Sequence, residues 1–252
     1  MAELYETTGS EKEFLEKYDL TKYERPSVTA DILVFTVVPK NKELKLLLIQ
    51  RGNHPYLNKW ALPGGFAASD ESLLDTARRE LMEETGVEGV YLEQLYTFSE
   101  KGRDPRGWVI TTAYIAMVPF DKLNIKSGDD AKNAALVDVI RKNDSWYFEN
   151  DDIGLLLQES DIAFDHYRII DMAIERLRGK LDYTDIAFQF LPNMKNFTMP
   201  QLKAIYDTIS GHEYERSYFV KTMKNRYDKR LKELGKQVHG VGKPVMHYSY
   251  KR

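Results

Sequence analysis

Residues 65–87, which read GFAASDESLLDTARRELMEETGV, constrain the fold of this chain more than any other segment. The pattern predicts a helix from about Ser72 to Thr85. Ser69 or Asp70 is placed to cap the start of this helix, and Gly86 is placed to end it. One side of the helix is expected to pack against a core, because four apolar residues recur there at helical spacing: Leu73, Leu74, Ala77 and Leu81.

Three glutamates crowd the last turns of the predicted helix. At 100° per residue, Glu80, Glu83 and Glu84 fall within roughly one third of the helix circumference. Ionised carboxylates this close repel one another, and the helix dipole disfavours each of them by ~0.3–1 kcal/mol. A divalent cation removes this conflict, since Mg²⁺ binds carboxylate oxygens and is usually shared with substrate phosphates. The segment therefore predicts a site for a divalent cation such as Mg²⁺ beside a substrate phosphate.

The residues around the three glutamates fit the same site. Arg79 follows Glu71 by eight residues, so the two side chains can meet along the helix and fix the geometry of the loop before it. Gly64 and Gly65 have no Cβ, which lets the backbone approach a metal ion or a phosphate closely.

This segment resembles the Nudix box at each of its defined positions. The match comprises Gly65, Glu71, Arg79-Glu80-Leu81, Glu83-Glu84 and Gly86-Val87. An ordinary acidic surface helix is the alternative, but it would reproduce this spacing only rarely by chance. The resemblance implies an α/β/α sandwich and Mg²⁺- or Mn²⁺-assisted hydrolysis of a nucleoside diphosphate linked to another group.

The resemblance also implies roles for these residues. Glu80, Glu83 and Glu84 would be metal ligands together with Gly64, while Glu71 and Arg79 would support them as part of the catalytic set. The general base often lies outside the box, and the loop SGDDA offers Asp129 or Asp130 by its chemistry. Guanidinium groups match phosphate oxygens, so the predicted substrate-binding residues are Gly65 and three arginines: Arg51, Arg103 and Arg106.

The rest of the chain divides into two regions. Alternating apolar residues predict strands at 31–39, 43–51, 90–98 and 108–120, with a loop at 60–66. After Ala163 the pattern changes to three helices: one capped by Asp165, one from Thr198 to Ile209 and one from about Glu215 to Tyr227, with a strand after a turn at 242–244. We predict an α/β fold with a lead-in at 1–26, a Nudix domain at 27–162 and a winged-helix DNA-binding domain at 163–252.

Charge is unevenly distributed between these regions. Residues 212–252 contain 11 Lys and Arg against 4 Asp and Glu, whereas residues 1–211 contain 25 against 35. A basic tail on an acidic body suggests a polyanionic partner for the tail. The last predicted helix has a core stripe beside a polar and basic face, which suits a DNA groove, and Lys243 sits at a predicted wing tip. The predicted DNA-binding residues are Ser217, Tyr218, Lys221, Lys224, Asn225 and Lys243.

Short motifs in a shared order extend the resemblance to one group of Nudix proteins. KYERPSVTADILVFTV, RDPRG, GDDA, FDH, RLRGKL and GKP resemble the Nudix-related transcriptional regulators of NAD metabolism, over about residues 23–250. In that group an ADP-ribose-binding Nudix domain is fused to a winged helix, the protein is a homodimer, and ligand binding releases operator DNA. The relatives include sugar-responsive repressors, so NAD-related and sugar-related genes are both candidate targets.

Two alternatives to a regulator that also hydrolyses ADP-ribose remain open at this point. One is a housekeeping Nudix hydrolase whose C-terminal domain serves only dimerisation, and the other is a sensor without catalysis. The chain has no cysteine, its first residues lack the apolar segment of a signal peptide, and no apolar run is long enough to span a membrane. We therefore expect a cytoplasmic protein.

Overall fold

A computed structural model of the chain describes residues 9–38, 41–123, 131–238 and 243–252, without the side chains of 131 and 132. The strands of the first region are β1 Ser27–Val38, β2 Glu43–Arg51, β3 Trp60–Ala61, β4 Gly64–Phe66, β5 Tyr91–Phe98, β6 Val109–Met117, β7 Ala131–Lys142, β8 Ser145–Asn150 and β9 Leu155–Leu157. The helices are α1 Glu11–Lys17, α2 Leu73–Thr85, α3 His166–Lys180, α4 Met199–Ser210 and α5 Arg216–Arg226, and the last strands are β10 Phe197–Thr198, β11 Leu231–Gln237 and β12 Val245–Tyr250.

A large mixed sheet occupies the centre of the first region. Its strand order is β5-β6-β1-β2-β7-β8-β9, with β3 added to β2 and β4 added to β1. The central pair β1 and β6 is parallel, and the other pairs of this sheet are antiparallel. The predicted strands at 31–39, 43–51, 90–98 and 108–120 correspond to β1, β2, β5 and β6.

Two helices cover opposite faces of this sheet, as the α/β/α prediction requires. On one face, Ala77 and Leu81 of α2 pack against Ile32 and Val34 of β1. On the other face, apolar residues of α3 such as Ile170 pack against β1, β2 and β8. Successive side chains of β1 point to opposite faces of the sheet, so neighbouring residues of this strand belong to different cores.

The prediction for residues 60–66 was wrong, because this segment contains β3 and β4 rather than a loop alone. The cap prediction for α2 was also wrong. Ser72 is the N-cap and accepts a hydrogen bond from the Asp75 amide, in place of Ser69 or Asp70. Gly86 does end the helix, at a positive φ of 65° that favours glycine.

The C-terminal region has the topology of a winged helix. Helices α4 and α5 are followed by the antiparallel pair β11–β12, and β10, which directly precedes α4, pairs with β12. The predicted cap of α4 is confirmed, because Thr198 accepts a hydrogen bond from the Gln201 amide. The domain limits at 26 and 162 stay a prediction, and α3, which we assigned to the second domain, packs on the large sheet.

Among the described residues, no helix combines the length and the apolar character that crossing a membrane requires.

Candidate functional site

A cleft of about 660 Å³ opens between α2, which is the helix of the Nudix-like box, the ends of β1 and β2 and the start of α3. It brings together residues that are far apart in the chain. Of the predicted catalytic, metal-binding and substrate-binding residues, the following line this cleft: Arg51, Gly64, Gly65, Arg79, Glu80, Glu83, Glu84, Arg103 and Arg106. Glu71 is absent from the lining and acts through its contact with Arg79.

The Gly64-Gly65 segment reaches the box helix because β4 pairs with β1. Gly65 pairs opposite Ala30, and this places its Cα directly against the carboxylate of Glu80. A Cβ on Gly65 would lie 1.9 Å from Glu80 Oε1, a separation that no two atoms of this kind adopt. An alanine in this position would therefore force the Glu80 carboxylate to move away from the backbone.

We expect the Gly65→Ala substitution to displace Glu80 and to weaken Mn²⁺ binding by at least about tenfold, the range found when groups that position metal ligands are lost. Mn²⁺ affinity can be measured by electron paramagnetic resonance. Gly179→Ala is the matched control, since an added Cβ in that position meets no atom within 4 Å. Unchanged Mn²⁺ affinity in Gly65→Ala would contradict the placement of Glu80 at the metal site.

Arg79 connects the loop and the helix, as predicted. Its Nη2 lies 2.9 Å from Glu71 Oε1, and its Nη1 lies 2.7 Å from Glu80 Oε1 and 3.6 Å from Glu83 Oε2. Glu71 also accepts hydrogen bonds from the Ala68 amide and the Thr76 hydroxyl. The hydrogen bonds from Arg79 are the main reason why the pKa of Glu71 falls to about 2. Glu71 is therefore a fixed anion that orients Arg79.

The three box glutamates differ in exposure. Glu80 and Glu84 are buried, while the Glu83 side chain is about half exposed. Burial raises the pKa of Glu80; the Arg79 guanidinium opposes this effect, and the Glu83 carboxylate adds to it. An acidic group in such a place is stabilised by a bound cation.

The donors at this position fit a hard divalent ion. Carboxylate oxygens are what Mg²⁺ and Mn²⁺ prefer, and Gly65 leaves room for the backbone to approach. Within the described ranges, no three His, Asp or Glu side chains already converge as a metal-binding group. Arg79 lies among Glu71, Glu80 and Glu83 and supplies the positive charge there.

Arg103 makes an ion pair that the sequence does not reveal. Its Nε and Nη2 donate to the two carboxylate oxygens of Asp165 at 3.0 and 2.7 Å, and only 4% of its side chain is exposed. Asp165 does occupy the N-cap position of α3, but its side chain makes no capping hydrogen bond. The proposed phosphate-binding role of Arg103 stays a prediction, and a phosphate would have to compete with Asp165.

The guanidinium groups of Arg51 and Arg106 both lie near the ring of Phe164 at the cleft. The guanidinium carbon of Arg51 lies 4.9 Å from the ring centre of Phe164, and that of Arg106 lies 5.6 Å from the same ring and 5.1 Å from Phe66. Arg106 also pairs with the buried Asp104 at 2.7 Å. Burial works to raise the pKa of Asp104, but the hydrogen bonds from Arg106 outweigh it, and the pKa falls. Such a group of cations and rings suits a phosphate next to a planar or apolar moiety.

Sequence reasoning gave no role to several residues that line this cleft, among them Asp31, Asp104, Phe164 and His166. The order Phe164-Asp165-His166 carried part of the resemblance, but nothing in the sequence gave these residues a role. Asp31 lies inside an apolar strand, and a single acidic residue in a strand was the one available signal.

His166 is buried at the first position of α3. Its Nδ1 accepts a hydrogen bond from the Leu62 amide at 2.9 Å, so the neutral ring carries its proton on Nε2. Burial lowers the pKa of His166; Asp31 and Asp165 act to raise it, and Arg103 and Arg51 act to lower it further.

This pKa shift predicts how stability depends on pH. Because the pKa of folded His166 lies below 6.5, its contribution is fully present above pH 6.5 and is lost as the pH falls from there towards the folded value. We expect His166→Asn, whose amide oxygen can still accept from Leu62, to flatten the pH dependence of the unfolding free energy by up to about 1.4 kcal/mol per pH unit. Urea unfolding between pH 8 and 5.5 measures this slope, with exposed His212→Asn as the control. If the unfolding free energy has the same slope against pH in His166→Asn and in the wild type, the lowered pKa of His166 is contradicted.

The predicted general bases Asp129 and Asp130 lie outside the described residues.

The predicted DNA-binding face is exposed on α5. Four of the predicted residues line a shallow groove together with Arg216 and Val220: Ser217, Lys221, Lys224 and Asn225. Glu215 accepts hydrogen bonds from the Ser217 and Tyr218 amides, so the start of the helix is capped. Lys224 pairs with Glu233 of β11 at 2.5 Å, and its contact with DNA would require this pair to open. Tyr218 and Lys243 are exposed. Arg216 and Val220 were missing from the prediction.

Comparison with known proteins identifies related sequences. Residues 29–153 match the family profile described as NUDIX domain. The ADPR responsive transcriptional repressor NtrR of Acinetobacter baylyi is 34% identical over 219 residues, which cover 85% of this chain and 79% of that protein. The ADP-ribose pyrophosphatase of Methanocaldococcus jannaschii is 35% identical over 162 residues, which cover 63% of this chain and 81% of that protein.

Solved structures match over most of the chain. A MutT/nudix family protein from Enterococcus faecalis has a TM-score of 0.78 at 34% identity, covering 96% of this chain and 94% of that one. Shewanella oneidensis NrtR complexed with a 27mer DNA has a TM-score of 0.69 at 31% identity, covering 89% and 93%. The NUDIX domain of the same NrtR complexed with ADP ribose has a TM-score of 0.53 at 35% identity, covering 67% and 99%. The similarity therefore includes both regions of the chain.

Proposed function

Because the chain belongs to the Nudix family, we propose that it is an ADP-ribose-responsive transcriptional regulator that retains Nudix hydrolase activity. One observation carries this proposal. The same chain combines a cleft with a complete Nudix box and a C-terminal helix α5 with an exposed basic face. The similarity to NtrR and to DNA-bound NrtR extends over both parts and supports their joint use.

The cleft suits a nucleoside diphosphate derivative such as ADP-ribose. Arg51 and Arg106 supply positive charge for the diphosphate, and Phe66 and Phe164 supply apolar surface beside it. Glu80, Glu83 and Glu84, with the backbone of Gly64, would hold Mg²⁺ or Mn²⁺. When bound, that ion polarises phosphoryl oxygens and lowers the pKa of water.

The chain's own residues would prepare hydrolysis of ADP-ribose to AMP and ribose 5-phosphate. Glu71 fixes Arg79, and Arg79 holds Glu80 against Gly65, which keeps the acidic cluster in place before substrate arrives. Asp129 or Asp130 remains the proposed base that takes a proton from the attacking water. Arg103, which is engaged with Asp165, would stiffen the start of α3 beside the bound ligand.

The C-terminal region would bind operator DNA as a homodimer in the cytoplasm. The predicted contacts are those of α5, with Lys243 reaching phosphate beside the helix. ADP-ribose binding would lower the affinity for DNA, so that genes of NAD or sugar metabolism are repressed when the ligand is scarce.

A mobility-shift assay tests the regulatory half of the proposal. The full chain is mixed with the DNA fragment upstream of its own operon at moderate salt, with and without ADP-ribose. We expect a retarded band that ADP-ribose weakens. No retardation of this fragment, or a band that ADP-ribose leaves unchanged, would defeat the regulatory proposal.

A housekeeping hydrolase is the second candidate, and the complete box favours it. The similarity to an ADP-ribose pyrophosphatase gives this candidate independent support. Kinetics on a panel of nucleoside diphosphate derivatives separate the candidates. Turnover at ordinary enzyme rates without DNA binding supports the housekeeping enzyme, and ligand-sensitive DNA binding without turnover supports a sensor.

A further inference from the structure

Asp31 lies on β1 at the floor of the cleft, opposite Gly64 of β4. An acidic side chain at this position is unexpected, because the flanking residues Ala30 and Ile32 are fully buried and apolar. Only 7% of Asp31 is exposed. The strand thus places a single carboxylate within an apolar run and directs it into the site.

One oxygen of this carboxylate has no hydrogen-bond donor among the residues that the structure describes. Asp31 Oδ2 is buried, and its two cationic or donor neighbours, Arg103 Nη2 and His166 Nε2, both lie 3.6 Å away. This separation is too long for a hydrogen bond.

Both neighbours are held at this distance by other partners. Arg103 donates both Nε and Nη2 to Asp165, and His166 is held by the Leu62 amide at its other ring nitrogen. A buried acceptor without a donor costs free energy, and a native structure that keeps one needs a reason. A ligand in the cleft can supply the missing donor.

We propose that Asp31 is a specificity-determining residue that accepts a hydrogen bond from a neutral hydroxyl or amino group of the bound nucleotide derivative. This inference rests on the proposed function of the cleft. A carboxylate is an acceptor and repels phosphate oxygens, so the donor belongs to a sugar or a base and not to the diphosphate. Asp31 therefore selects for what is attached to the diphosphate, while the arginines and the box recognise the diphosphate itself.

Calorimetric titration of the full-length Asp31→Asn variant tests this assignment. ADP-ribose and ADP are titrated separately in EDTA, which prevents turnover and removes any metal bridge. We expect a loss of about 10- to 100-fold in affinity, the effect of a hydrogen bond to a charged group. A loss for ADP-ribose alone identifies the distal sugar as the donor, and an equal loss for both ligands identifies the adenosine half.

Two results would overturn the proposal. Affinities of Asp31→Asn within twofold of the wild type for both ligands would show that no ligand donor meets this carboxylate. A loss that appears only when Mg²⁺ replaces EDTA would show that Asp31 acts through the metal. A wild-type chain that binds no ADP-ribose at all is a different outcome, since it contradicts the proposed function itself.

Stability measurements without ligand distinguish a structural role of Asp31 from a role in ligand binding. The proposal predicts that ligand-free Asp31→Asn keeps a melting temperature close to that of the wild type, because Oδ2 accepts no hydrogen bond and its ion pair with Arg103 spans 3.6 Å. A lower melting temperature with unchanged affinities would overturn it. Asp138→Asn is the matched control: Asp138 is a partly buried strand carboxylate outside the cleft, paired with Lys45, and its loss should leave ligand affinity unchanged. Asp31→Ser serves as the second variant, with the same expected losses, if the asparagine protein does not fold.

Discussion

Glutamine in place of Glu84 is expected to lower both Mn²⁺ affinity and metal-dependent ADP-ribose hydrolysis by at least about 100-fold. Loss of a group that merely positions a metal ligand typically costs 10- to 100-fold, so loss of a ligand should cost more. Glu84 is buried on the cleft side of α2, where an uncharged amide keeps the shape but supplies a weaker metal donor. Electron paramagnetic resonance of Mn²⁺ and the rate of AMP release measure the two effects.

The exposed Glu88 provides the matched control, since it lies three residues after the end of α2 and outside the cleft. Glu88→Gln should retain wild-type Mn²⁺ affinity and rate. Glu84→Gln should also keep its affinity for ADP-ribose in EDTA, because the metal is absent from both proteins there. Wild-type Mn²⁺ affinity in Glu84→Gln would show that α2 is not part of the metal site.

Charge reversal at Lys221 is expected to weaken DNA binding on the order of 10- to 100-fold at fixed salt. Lys221 is exposed on α5 and lines the groove between polar residues of the helix. Each lost phosphate contact lowers the slope of log affinity against log salt by about 0.9, so a dimer that loses two should lose about 1.8. Fluorescence anisotropy with the operator fragment over a range of salt concentrations measures both quantities.

Lys122→Glu makes the same change in net charge on the first region of the chain. Lys122 is exposed in the turn after β6, and its reversal should leave the salt slope unchanged. If Lys122→Glu and Lys221→Glu weaken binding equally, net charge alone is responsible, and α5 is not the DNA-binding element.

Local patterns in the sequence were sufficient for a large part of the fold. The alternation along β1 and β2 and the helical spacing of α2 through α5 are properties of neighbouring residues, and each of these elements was predicted. Strands β7 to β9 were not predicted. In β7 the charged Asp138 interrupts the apolar pattern, and its partner Lys45 lies 93 residues away on β2. The strands β3 and β4 exist only because β2 and β1 pair with them.

In the candidate site, too, contacts between residues close in the chain were predicted, and contacts between distant residues were not. The box was recognised from spacing alone, and the contact between Glu71 and Arg79 was predicted correctly because both residues lie within one loop and helix. The three arginines looked equivalent in the sequence. In the structure Arg103 is held by Asp165 from 62 residues away, whereas Arg51 and Arg106 lie over Phe164.

The sequence by itself determined the acidic cluster and its helix, because residues three and four apart must share one face whatever surrounds them. It also determined the basic character of the C-terminal region, which is a matter of composition. Only the tertiary structure decided which charged groups are already paired and which buried oxygens of the described residues, Asp31 Oδ2 among them, accept no hydrogen bond. The reason is physical: ion pairs and hydrogen bonds depend on distances of a few ångströms between residues that the chain separates widely, and folding alone sets those distances.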